Sequence, residues 1–191
     1  MSDWFSAVRI IHIMSAVFMA APLYMLIVVN ERTQFGKPID PKMDGYSESI
    51  ITHQPRRCYI YLGALFVTGV ALFLITGQGL GPLVRNWMVA TKIVLALVLL
   101  GLLTYVHTVI QPLINALVAR SETEDVGAQL WPLRRRRKRL SAICLFLVVT
   151  IVLLGVRLVV PYSVPLLIVF VVLAALLAWR AFGAPVPWGF V

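Results

Sequence analysis

Acidic side chains are scarce in this sequence. Eight Asp and Glu stand against seventeen Lys and Arg, and charged residues of both signs make up only 13% of 191 residues. A water-soluble domain carries about a quarter charged residues, so this chain cannot clothe itself in polar surface. Cysteine is nearly absent as well. Cys58 and Cys144 alone supply neither a disulfide framework nor the ligand spacing of a zinc site. No phosphate loop, nucleophile elbow or zinc-ligand spacing occurs, which removes the common soluble enzyme classes. No internal repeat is present. The N-terminus also lacks the basic opening of a signal peptide, although Phe18–Pro22 has the small residues of a cleavage site, so the first apolar segment is expected to be retained.

What is present is apolar. Hydrophobic residues make up 60% of the chain, and the mean hydropathy is +0.90. About 20 apolar residues in a helix cross the roughly 30 Å hydrocarbon layer of a bilayer. Five stretches meet or approach that length: Trp4–Val29, Cys58–Thr76, Trp87–Ile110, Leu140–Val160 and Val164–Trp179. The fold expected is therefore all-α, a polytopic transmembrane bundle of five helices forming a single membrane domain. Pro161 and Pro165 mark a tight turn between the last two helices. Two long connections, 30–57 and 111–139, and a C-terminal tail, 180–191, make up most of the rest.

Charge gives the bundle a direction. Arg9, Arg85, Lys92 and Arg157 fall on the side of the N-terminus, and the other thirteen basic residues fall on the opposite side. Basic residues are kept in the cytoplasm, so the N-terminus is expected outside, with both long loops and the C-terminus inside. This implies the cytoplasmic (inner) membrane. The run Arg134, Arg135, Arg136, Arg137, Lys138 and Arg139 abuts the fourth span. It is read as a membrane-surface anchor on anionic headgroups, worth about 1 kcal/mol per residue near the surface, rather than as a nucleic-acid site. Both cysteines lie near this reducing face, which disfavours a disulfide between them.

Ionisable residues inside spans are costly and default to functional hypotheses. Arg9 and His12 share one face of the first helix, being three residues apart. At about 1.5 Å per residue, Arg9, His12, Lys92 and Arg157 all fall within roughly 12 Å of the outer ends of their helices. No carboxylate lies within any of the five spans. A cationic group of this kind suits an anion supplied by a bound molecule, such as a haem propionate or a lipid phosphate. His12 and Lys92 are the candidate metal ligands, because neutral imidazole ligates iron or copper and a lysine in low dielectric can present a free amine. The bland alternative is that Arg9, Lys92 and Arg157 snorkel to the headgroups and His12 bonds a neighbouring helix. His107 falls some 18 Å away in depth, near the inner surface, and does not pair with His12. His53 is expected to be solvated in the first loop. Met14, Met19, Met25 and Met88 are read as packing rather than as a copper ladder. Ala16 and Ala20, and the group Gly63, Ala64, Thr68 and Gly69, mark close helix contacts.

The segments WFSAVRIIHIMSAVFMAAPLYMLIVVNER, RRCYIYLGALFVTGVALFL and RNWMVATKIVLALVLLGLLTYVH carry a likeness. Over about residues 4–118 the chain resembles the HemJ-type small membrane proteins, with the CopD-type copper-resistance proteins as relatives. The resemblance implies haem b at His12 and Lys92 and oxidation of protoporphyrinogen. The fifth helix, the basic loop and the aromatic tail depart from that pattern, as does the length of the step from Trp87 to Lys92. The functions expected are, in order, an accessory subunit of a larger membrane electron-transfer complex, with or without haem b; a haem-dependent oxidase of the HemJ type; and a copper-handling protein of the CopD type. The partners expected are membrane lipids and other membrane subunits, the tail Pro185–Val191 serving as a docking segment.

Overall fold

A computed structural model describes residues 3–32, 41–77, 81–121 and 123–183 of the chain. These residues are helical throughout apart from short connections, with no strand among them. Five helical stretches are long and apolar enough to cross a membrane: Asp3–Met25, Asp44–Ile75, Trp87–Arg120, Gly127–Val159 and Val164–Gly183. At most 28% of the apolar window in any of them is buried inside the protein. Most of that apolar surface therefore faces outward, and hydrocarbon is the solvent that suits it.

The first helix, α1 (Asp3–Arg32), packs along α3 (Gln54–Ile75) and α7 (Gly127–Val159). The short α4 (Pro82–Arg85) leads into α5 (Trp87–Tyr105), which packs on α7. Asn86 starts α5 by accepting a hydrogen bond from the Met88 amide at 3.0 Å, as an N-cap should. Met19, Leu23, Leu62, Leu99, Cys144, Leu147 and Val148 form the core where these four long helices meet. Met19 is thus core packing, 2% exposed. The last helix, α8 (Val164–Gly183), lies chiefly on α7. The turn joining them is closed by Tyr162, whose hydroxyl donates to the Leu153 carbonyl at 2.8 Å and whose ring meets Phe170 edge-on.

Both long connections contain helix where loop was expected. Residues 33–40 of the first and 184–191 of the tail, with the docking segment 185–191, lie outside the described residues. The rest of the first connection folds as α2 (Pro41–Thr52). After α5 the chain passes without a break through a π-helical turn, Val106–Ile110, into α6 (Gln111–Arg120). The basic run does not precede a helix but lies within α7, which already begins at Gly127. Val106, Ile110, Ile114 and Leu117 pack on Val126 and Leu130 as a second core under this end of the bundle.

The physical reason is a buried ionic cluster. Asp44 and Glu48 are four residues apart on α2, and Arg134, Arg137, Lys138 and Ser141 recur at helical spacing on α7, so each set occupies one face. Arg134 Nε donates to Glu48 Oε1 at 3.0 Å, and Arg134 Nη1 donates to Asp44. Arg137 Nη1 donates to Glu48 Oε2, and its Nη2 reaches Glu48 Oε1 at 3.1 Å. Gln111 of α6 joins them, accepting from Arg137 at 2.9 Å and donating to Glu48 at 3.0 Å. Two guanidiniums face two carboxylates, and Lys138 is buried on the same face of α7. A guanidinium out of water is tolerated when carboxylates face it in this way.

Candidate functional site

The six residues of the basic run separate into two environments. Arg134, Arg137 and Lys138 are buried, at 0%, 1% and 4% exposure. Arg135, Arg136 and Arg139 are exposed. Of the six residues expected at the surface, Arg134, Arg137 and Lys138 are therefore inside, and only the other three are exposed. Arg136 lies 5.3 Å from the Tyr105 ring centre, and Arg139 lies 4.8 Å from that of Phe182. The period of 3.6 residues in a helix, read through a run of like residues, was the signal that separates them.

At the other end of the bundle, His12 of α1 is half-buried, and its Nδ1 lies 2.8 Å from the Thr68 hydroxyl oxygen of α3. The Thr68 hydroxyl donates its one hydrogen to the Ala64 carbonyl one turn earlier. It therefore accepts from His12, which places the ring proton on Nδ1 and the lone pair on Nε2. Gly69 lets the ring lie against α3: a Cβ there would stand 3.4 Å from His12 Cε1. Lys92 of α5 is half-buried. Its Nζ is packed against α7, where a Cβ on Gly155 would stand 3.4 Å away.

Arg157 lies two residues beyond Gly155, its guanidinium 5.9 Å from the Trp87 ring centre. Its Nη1 is buried and has no hydrogen-bond partner among the described residues. Arg9 is half-buried one turn before His12. His12 thus meets Thr68 between α1 and α3, and Lys92 lies against Gly155 between α5 and α7. Gly155 is the contributor that sequence reasoning missed, because a glycine in an apolar helix carries no chemical signal of its own.

The other histidines stand apart. His107 lies in the π-helical turn, its ring edge-on to Tyr59 and its buried Nδ1 without a hydrogen-bond partner among the described residues. His53 is exposed at the junction of α2 and α3, and its Nδ1 lies 2.8 Å from the Ser49 carbonyl. Among the described residues no three His, Cys, Asp or Glu side chains gather as a metal cluster.

His12 and Lys92 contribute an imidazole and an amine as nitrogen donors. Nδ1 is anchored by a second residue, as is usual for a ligating histidine, and the lone pair of Nε2 is left for a metal. The buried Arg157 Nη1 suits an anionic acceptor, and no carboxylate among the described residues hydrogen-bonds it. No family model matches the chain, and neither a curated protein nor a solved structure is found to be similar to it.

Proposed function

We propose that this chain is a small integral membrane subunit of a larger electron-transfer assembly, with His12 and Lys92 as the binding site for haem b. The observation that carries the reading is the hydrogen bond from His12 Nδ1 to Thr68, which orients the imidazole and reserves Nε2. Haem, when bound, would supply one-electron chemistry. The protein's part is to hold the imidazole in one tautomer, to keep the Lys92 amine in low dielectric and to meet propionate with Arg157 and Arg9. The assembly is supported by the amount of apolar surface and by the small mass outside the helices. The orientation proposed keeps the N-terminus outside and the basic end in the cytoplasm, in line with the exposed Arg135, Arg136 and Arg139.

A HemJ-type oxidase would use the same pair, so His12 and Lys92 also support that second reading. A copper pathway of the CopD type is less well supported, because Met19 packs among Leu23, Leu62 and Leu99. The test is an absorption spectrum of the purified protein together with its native mass in mild detergent. A haem band lost in His12→Ala supports the site. A colourless, folded preparation removes haem, and a monomer with no recoverable assembly removes the subunit.

A further inference from the structure

Between α7 and α8 runs an apolar groove of about 220 Å³, lined by Ala142, Ile143 and Phe146 on one side and by Ala178, Trp179 and Phe182 on the other. On α7 the same stripe continues toward the basic end: Phe146, Ile143 and Ala142 are followed at helical spacing by Arg139 and then Arg135. Both arginines are exposed, and neither faces the buried cluster made by Arg134 and Arg137. Trp179 and Phe182 stack with their ring centres 6.3 Å apart, and the Arg139 guanidinium lies over Phe182.

We propose that this groove is a binding site for one anionic glycerophospholipid. An acyl chain fills the groove, and the phosphate meets Arg139 and Arg135 at its mouth. A guanidinium lying over an aromatic ring keeps its N–H groups at the edge, in the plane that a phosphate approaches. The small side chains of Ala142 and Ala178 leave room for the hydrocarbon, and Trp179 is an aromatic of the kind that settles at headgroup level. Charge complementarity selects an anionic over a zwitterionic headgroup. The site is separate from His12 and Lys92, and its failure would leave that reading untouched.

The experiment is native mass spectrometry of the full chain in mild detergent, with added phosphatidylglycerol or phosphatidylcholine. The wild type is expected to retain one phosphatidylglycerol in preference to phosphatidylcholine. Arg139→Gln should weaken that retention about tenfold, the scale of one charge-assisted hydrogen bond. Ala178→Leu should weaken it similarly with every charge in place, and Arg136→Gln, beside Tyr105, should leave it within about twofold. Equal retention of the two lipids, equal losses in Arg136→Gln and Arg139→Gln, or no effect of Ala178→Leu would each overturn the proposal. A second measurement needs no charge variant: acyl-brominated phosphatidylglycerol should quench Trp179, read as the difference from Trp179→Phe, more than brominated phosphatidylcholine does. Equal quenching by the two also overturns it.

Discussion

His12 and Thr68, 56 residues apart in sequence, meet side chain to side chain at 2.8 Å across the contact between α1 and α3. The bond does two things at once. It ties two apolar helices at a defined rotation, and it selects the tautomer of the only histidine at this level of the bundle. Thr68→Val keeps the shape and removes the acceptor. The expected cost is about 1 kcal/mol of stability, read from thermal unfolding in detergent. If haem is bound, its affinity should fall by about 10–100-fold in the same variant, because the ligand loses its orienting partner.

Gly155 is the corresponding point on α7. An alanine there makes ordinary contact with the Lys92 side chain, since its Cβ would lie 3.4 Å from Nζ and 3.9 Å from Cε. Gly155→Ala should therefore be close to neutral. Gly155→Leu must place atoms where the amine now sits, and a loss of about 1–3 kcal/mol is expected. Reaction of Lys92 with a small amine reagent should change in the leucine variant and not in the alanine one, with peptide mapping as the readout.

Glu48 holds two buried guanidiniums, and its loss removes the carboxylate from Arg137 and leaves Arg134 with Asp44 alone. Glu48→Ala should destabilise the protein by about 3–5 kcal/mol, the usual effect of removing one partner from a buried ion pair. Arg135→Gln, on the exposed side of the same helix turn, should stay within about 0.5 kcal/mol. Unfolding midpoints of the two variants, measured side by side, distinguish a clamp of α2 on α7 from a general effect of charge at this end.

Cys58 and Cys144 are each only 2% exposed, and neither is disulfide-bonded. A water-soluble maleimide should label neither thiol in the folded protein and both after denaturation, with intact mass as the measure. A thiol reached quickly in the folded state would contradict the burial of both side chains inside the bundle.

That five helices are long and apolar enough to cross a membrane was legible in the sequence, for a simple reason. Length and apolarity decide what can cross hydrocarbon, and a rise of 1.5 Å per residue turns sequence position into depth. That arithmetic alone aligned His12 with Lys92 and separated both from His107. It could not say which way a side chain turns around the helix axis relative to its neighbours.

Rotation about the axis is set by packing between helices, and here it decided the chemistry. The six basic residues from Arg134 to Arg139 look alike in a line of text. Only the docking of α2 takes Arg134 and Arg137 into the interior and leaves Arg135, Arg136 and Arg139 outside. In the same way, only the approach of α3 gives His12 its Thr68 partner, and only the approach of α7 sets Gly155 beneath Lys92. Composition and periodicity determined five apolar helices and the depth of each charge along them. Tertiary structure decided which charges face one another, because a polar group removed from water must find its partner on another helix.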